Sequence, residues 1–317
     1  MGFLTYLAVR LVGALATVFV GALAIFLVMQ LAPGDPAIAV LGEQATTESI
    51  EAFRAKHHLD DPVLVQFARW FAGALQGDLG TSLTLAGSFP VHELLAARLP
   101  NTVFIGIFGL VIALLISIVA GTVAALRHGR MSDTVATSVA VVGISMPDFW
   151  LSYVLILLFA LSVSWFPSYG FVAPQDSLVG ALHAGFLPAL AVGAPMAGVF
   201  ARILRAALLE TREREYVTAA RSFGFADTFV FAHYVFRNAI IPFVTVVGLQ
   251  VRYLLGGVVI IERVFGVSGP GSLMVDAIFA RDFPVIQACA LTFLAVVLVV
   301  NLVVDVACAL LDPRRTH

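Results

Sequence analysis

Residues 99–126 read LPNTVFIGIFGLVIALLISIVAGTVAAL, an unbroken run with no charged side chain between Arg98 and Arg127. A helix needs about 20 apolar residues to cross a bilayer, and this run exceeds that. Five more stretches satisfy the same requirement, near 8–31, 135–165, 186–208, 239–260 and 285–311. The fourth of the six, 186–208, is the weakest, because Pro188, Gly193 and Pro195 interrupt it. Membrane helices tolerate such breaks where neighbouring helices re-satisfy the backbone. The expected fold is therefore an all-α integral membrane protein with six transmembrane helices.

Composition agrees. Of 317 residues, 60% are hydrophobic and 12% charged, whereas a soluble domain is nearer half apolar and a quarter charged. A net charge of −2 and the absence of a basic stripe give no reason to expect nucleic acid. Cys289 and Cys308 sit in one apolar run, about 28 Å apart on a helix, beyond disulfide reach. Arg10 followed by apolar Leu11–Met29, with Ala37-Ile38-Ala39 beyond, has the outline of a signal peptide. The run outlasts an ordinary signal core of about 7–15 residues, so an uncleaved first span over 1–31 is expected.

Positive residues set the orientation. With the amino terminus inside, eleven arginines face the cytoplasm, from Arg10 through Arg127, Arg130 and the 202–237 group to Arg314 and Arg315. Six cations face out (Arg54, Lys56, Arg69, Arg98, Arg263, Arg281), and Arg252 lies within a span. Both termini are then cytoplasmic, and residues 32–98 form a long extracytoplasmic segment. Ala32-Pro33-Gly34-Asp35-Pro36 stops the first helix, and Asp61-Pro62 reads as an N-cap with proline at N1 of a helix ending near Gln76. Residues 77–82 end that helix, and Pro90–Leu99 leads into the second span. So long a segment with helical pattern suits an external docking surface better than a passive loop.

Residues 209–238 are expected to form a cytoplasmic loop within the core 99–317. Acids and arginines alternate from Glu210 to Arg221, Thr218-Ala219-Ala220 offers a slim surface, and Gly224 supplies a helix stop. A short helix, a glycine turn and a second helix would make a knob suited to a groove on a soluble partner; a solvated charged loop is the plain alternative.

At this point the chain resembles a known family. Thr218-Ala219-Ala220, three residues, then Gly224 is similar to the EAA loop of ABC importer permeases, with Thr where Glu is usual. Glu215-Tyr216-Val217 through His233, Arg237-Asn238-Ala239 and Pro242 resembles the dipeptide/oligopeptide (nickel) branch. So do residues 32–36, 77–82, Arg98-Leu99-Pro100-Asn101-Thr102, Ser145-Met146-Pro147 with Phe149-Trp150-Leu151, Gly256-Gly257 with Glu262, and Leu311-Asp312-Pro313-Arg314. The early first helix and long external segment resemble the B-type subunit. The resemblance implies a type I ABC importer transmembrane domain in the bacterial inner membrane. It also implies four partners: a second, C-type permease, two cytoplasmic ATPases that bind ATP and Mg, and an external substrate-binding protein. Glu215, Tyr216, Thr218, Ala219, Ala220, Gly224 and Asp227 would form the ATPase-coupling element. The implied cargo is a short peptide, with nickel, glutathione or certain sugars as alternatives.

This chain holds no cofactor of its own. A Walker A motif needs Gly-Lys-Ser/Thr, and the single lysine, Lys56, stands between Ala55 and His57. No catalytic constellation or metal site is expected. A stand-alone secondary transporter would show a repeat between halves, and the long first external segment has no counterpart. A membrane anchor without a pore leaves the glycine-ended knob unexplained.

Charge inside a span is costly and points to function. Asp148, just past a kink at Pro147, and Arg252 lie at matching depth, where the family is usually uncharged. Three readings stand: the two pair, they meet the charged termini of a peptide in the pathway, or they pair with the partner permease. Gln250 is a milder pathway candidate. Gly256 and Gly257 are expected to pack helices closely or to gate, and Asp78, Glu262 and Asp276 to serve as rim charges for binding-protein docking. Asp305 and Asp312 read as a structural anchor, and Phe149, Trp150 and Trp165 as packing or interface residues.

Overall fold

The structure, a computed structural model, describes residues 3–31, 35–42 and 45–311, the side chains of 3–8, 36, 39, 252–255 and 307–311 excepted. Among the described residues every regular element is helical, apart from one isolated bridge between Thr81 and Pro90. The helices are α1 Phe3–Leu31, α2 Pro36–Leu41, α3 Thr47–Lys56, α4 Val63–Leu75, α5 Val91–Leu126, α6 Met131–Ser145, α7 Asp148–Leu155, α8 Leu178–Arg212, α9 Glu215–Ser222, α10 Asp227–Val230, α11 Arg237–Phe265, α12 Pro270–Ala280 and α13 Phe283–Leu311. Two π-helical turns, Ile156–Ser162 and Phe231–Phe236, extend α7 and join α10 to α11.

Among the described residues, five segments are long and apolar enough to cross a membrane: Val9–Leu31, Val91–Leu126, Leu178–Arg212, Asp227–Val251 and Phe283–Val306. Two bent pairs bring the number to as many as seven. The expected third span is one of them: α6 and the helix over 148–162 meet at 111°. Pro147 is the cause. It disfavours the helical conformation at the residue before it, and Met146 is extended at φ −84, ψ 130. The second pair, 256–265 with 270–280, bends by 78° where Gly266 takes a left-handed conformation (φ 67) and Pro270 opens α12. Five straight segments and the Pro147 pair account for the six expected spans; the second bend was not foreseen.

The described residues form two compact units, those within 1–102 and 268–299, and those within 103–267 and 300–311.

In the first unit, α1 packs against α4 through aromatic rings. Phe26 and Phe67 are buried with Ala22, and Trp70, Phe71 and Leu291 pack around them. A second cluster joins Val91 and Leu95 of α5 to Leu273 and Ala277 of α12 and Val285, Ala288 and Cys289 of α13. The Asp-Pro start expected at Asp61-Pro62 is instead realised at Asp35-Pro36, where the Asp35 carboxylate accepts the Ala37 N–H at 2.9 Å. Pro62 itself occupies the N-cap of α4 and no side chain caps it. Asp61 turns to Arg69, 2.9 Å away.

In the second unit, α8 is the central helix. Of its most apolar stretch 72% is buried, against 11% for α1. The helix expected to be weakest is thus the most enclosed. It runs unbroken through Pro188 and Pro195, well beyond 186–208. Its neighbours approach along small residues. A Cβ added at Gly193 would lie 2.4 Å from the Gly109 carbonyl oxygen, and one at Gly198 2.6 Å from that of Ala140. One at Gly121 would lie 2.8 Å from that of Ala201. Backbone contact of this kind is how membrane helices gain dispersion energy without a hydrophobic driving force. Phe200, Leu204 and Leu208 fill the core beyond it, all fully buried.

Candidate functional site

The second unit carries two candidate elements. The first is the knob after α8. The α8 helix ends at Arg212, a turn follows, and α9 begins at Glu215. Val217 and Ala220, three apart and therefore on one face, are buried in the main core. Thr218 and Ala219 face outward with Glu215, Tyr216 and Arg221. The small-residue surface expected from Thr218-Ala219-Ala220 is accordingly divided: Ala220 seats the helix, and the other two remain exposed. Gly224 has φ +83, a conformation that glycine adopts without a Cβ clash. It allows the chain to reverse into α10, and Arg221 Nε lies 3.5 Å from Asp227 Oδ1 across the turn. Phe223 is 81% exposed, with Phe225 and Phe229 open beside it. Clustered open aromatic rings mark a contact surface.

The second element is a niche of about 170 Å³ lined by Ile144, Asp148, Val192, Pro195, Met196, Val199, Gln250 and Gly257. The Pro147 bend places Asp148 in the first turn of α7, and Gly257 makes room for it: a Cβ there would lie 2.8 Å from Asp148 Oδ2. Among the described residues, the Asp148 carboxylate has no ion-pair partner. The niche thus offers one carboxylate and one carboxamide on otherwise apolar walls, which suits a polar or cationic group drawn out of water. The Arg252 side chain lies outside the described residues, and so does its expected pairing with Asp148. On the α11 backbone, position 252 stands roughly 140–160° round from Gln250 and Gly257 at 100° per residue. At Gly256 a Cβ would meet nothing within 4 Å among the described residues, so no described helix of this chain packs closely there. Of the two glycines only Gly257 sits at a close approach.

The rim charges separate. Glu262 is 1% exposed, so its side chain offers no surface to a docking protein. Its place in α11 points it into the core among Val258, Ile261 and Phe265, which are buried too. Asp276 is half-buried on α12. Asp78 is exposed, accepts the Gly80 N–H at 2.9 Å and lines a cavity of about 770 Å³ in the first unit. Arg54, His57, Asp60, Gln66, Arg69 and Trp70 share that lining.

Two polar centres escaped the sequence reading. Arg205 grips Asp133 with both oxygens engaged, Nε to Oδ1 at 2.6 Å and Nη2 to Oδ2 at 2.8 Å. His128 Nδ1 and the Gly129 N–H add contacts to Oδ2 at 3.0 and 3.1 Å. In the first unit, the fully buried Asp282 Oδ2 accepts from the Ser82 hydroxyl at 2.6 Å. It also accepts from the N–H groups of Leu83, Thr84 and Leu85 at 3.0–3.1 Å and from the Thr84 hydroxyl at 3.2 Å. Burial pushes this carboxyl up, but the Ser82 hydroxyl and the three N–H groups outweigh it, so its pKa falls below the ordinary value. A single acid close to arginine at the edge of an apolar run was the available signal at both places; the partner could not be guessed.

The binding-protein-dependent transport system inner membrane component model matches residues 117–317, and its N-terminal companion model matches residues 3–106. The chain belongs to that family. It is a multi-pass permease subunit of an ABC importer in the bacterial inner membrane. A Brucella abortus protein that carries the name of a peptide transport system permease is 37% identical over 305 residues, 96% of each chain. The glutathione transport system permease protein GsiC of Escherichia coli K12 is 37% identical over 310 residues, 98% of each. Among solved structures, the crystal structure of an amino acid ABC transporter with histidines aligns at a TM-score of 0.52 and 15% identity. The alignment covers 68% of this chain and 93% of that one. That likeness is one of fold, the type I ABC permease arrangement.

Proposed function

We propose that this permease, both termini cytoplasmic, forms half of a translocation pathway for short peptides. Its partners are a second, C-type permease, two cytoplasmic ATPases and an extracytoplasmic substrate-binding protein. The knob built by α9, Gly224 and α10 couples the spans to an ATPase. One observation supports this most: Val217 and Ala220 root the knob in the same core as α8 and α11, while Tyr216, Thr218, Ala219 and Phe223 stay open. A push on the exposed face is then transmitted to packed helices rather than absorbed by a loose loop. The Asp148–Gln250–Gly257 niche belongs to the pathway. The relatives' names support a peptide cargo, and GsiC, equally similar at 37% identity, keeps glutathione, itself a tripeptide, as the nearest second reading.

The test is reconstitution with the co-expressed partners in proteoliposomes, measuring ATP-driven uptake of labelled di- and tripeptides with glutathione and nickel as competitors. Ala219→Arg alters an exposed position and leaves the fold intact. It should reduce uptake at least tenfold without changing the yield of purified chain. Wild-type uptake by this variant would sink the coupling assignment, and competition by nickel alone would sink the peptide cargo.

A further inference from the structure

Helix α4 belongs to the segment between the first two spans, yet its packing is that of a helix at membrane depth. Phe67 meets both Phe19 and Phe26 of α1, with ring centroids 5.8 and 5.5 Å apart. Phe71 meets Phe19 at 5.6 Å, and Trp70 meets Phe26 at 5.8 Å. Phe19 and Phe26 lie about 18 and about 8 Å, respectively, from the Leu31 end of α1 at 1.5 Å per residue. Because Val9–Leu31 is a membrane span, α4 crosses α1 within the hydrocarbon zone rather than above it.

The three faces of α4 agree with that depth. Gln66, Arg69, Trp70 and Gly73, at helical spacing, look into the 770 Å³ cavity. Their polar atoms are partnered there: Gln66 Nε2 donates to the Leu59 and Asp61 carbonyls, and Arg69 pairs with Asp61. Phe67 and Phe71 face α1. The remaining face, Leu64, Val65, Ala68, Ala72 and Leu75, is exposed and wholly apolar, with Leu64 75% and Leu75 71% exposed. On α1 the exposed apolar residues Val20, Leu27 and Val28 present the same kind of surface. A polar face on one side and a bare aliphatic stripe on the other is the pattern of a helix lying in a membrane interface.

We infer that α4 is embedded in the outer leaflet, its Leu64–Ala68–Leu75 stripe in the acyl chains and its Gln66–Arg69 face turned to the cavity. The inference rests only on α1 crossing the membrane and does not depend on cargo or coupling. It divides the segment over residues 32–98 into a lipid-bound floor, α4, and a remainder free to meet water.

Site-directed spin labelling of the full chain in phospholipid nanodiscs tests it. Leu64→Cys, Ala68→Cys and Leu75→Cys are made in a background carrying Cys289→Ala and Cys308→Ala, with Glu51→Cys on exposed α3 as the aqueous reference. Labels at the three α4 sites should collide with oxygen several-fold more than with a water-soluble nickel chelate, and the Glu51 label should show the reverse. Nickel accessibility at Leu64 and Leu75 equal to that at Glu51 would overturn the inference. So would protection from both reagents, which would mean that protein covers the stripe. Since the three positions are exposed, at least one labelled variant retains the native elution profile, and a single one decides.

Discussion

Each of the two units of this permease carries a tertiary fastening of its own kind, one steric and one polar. In the second, α8 meets its neighbours through missing side chains: Gly109, Gly121, Gly193 and Gly198 let backbones touch, and dispersion does the rest. In the first, the loop over residues 80–91 is fastened to the turn before α13 by one carboxylate collecting five donors. Glycine contacts are steric, insensitive to pH and intolerant of any added atom. The Asp282 centre is directional, tolerant of small shape changes and dependent on a single negative charge. Perturbations of each kind should therefore damage one unit's mode of cohesion and spare the other's.

The largest expected effect is steric. Gly193→Val puts branched carbon where a Cβ alone already lies 2.4 Å from the Gly109 carbonyl. Two helix backbones must separate, at about 3 kcal/mol or more. The expected result is loss of a monodisperse detergent-purified chain and a lowered unfolding temperature at every pH. A Gly193→Val chain as stable as wild type would show that the α5–α8 approach is looser than described.

Next comes the charge. Asp282→Ala leaves the Ser82 and Thr84 hydroxyls and three N–H groups without their acceptor, at about 2–3 kcal/mol. The loss should appear as faster hydrogen exchange over residues 80–91 rather than across α8. The sign with pH follows from the depressed pKa. A carboxyl held below its unfolded value contributes its full stability above that value, near 3.8 for this group. The contribution is lost as pH falls through the lower folded pKa. Wild type should therefore lose stability between about pH 4 and more acidic values, and Asp282→Asn should lose less over the same range. Parallel curves for the two would remove Asp282 from the account.

What the sequence made legible follows the same division. Hydropathy is local, so the spans could be read directly, and the bend at Pro147 follows from proline's own geometry. The knob was legible because Gly224 stops a helix in any context. The tertiary glycines were not, since Gly109 and Gly193 acquire meaning only when α5 and α8 cross. Nor was Asp282, whose donors lie about 200 positions earlier in the chain. Glu262 read as a rim charge because it stands near the end of a span, and only the folded α11 shows that it turns inward. Both π-helical turns also escaped notice, for hydrophobic period cannot distinguish 3.6 residues per turn from a slightly wider winding.

The smallest effect on stability is also the finest discrimination, because it compares adjacent residues of one type. At Gly256 a methyl group meets open space, so Gly256→Ala should change stability by no more than about 0.5–1 kcal/mol, in the stabilising direction that alanine gives a helix. At Gly257 the same methyl arrives 2.8 Å from Asp148 Oδ2. The helix gains the same propensity, but the carboxylate must move, and overpacking of this size costs about 1 kcal/mol. The two terms nearly cancel, and Gly257→Ala should unfold at close to the wild-type temperature. Its uptake should nevertheless fall several-fold in proteoliposomes, because displacing Asp148 reshapes the one charged wall that the described residues give the niche, while Gly256→Ala transports normally. Matching uptake in the two alanine variants would mean that the carboxylate's position does not matter to transport, and Asp148 would revert to a helix-terminal residue with no part in the pathway.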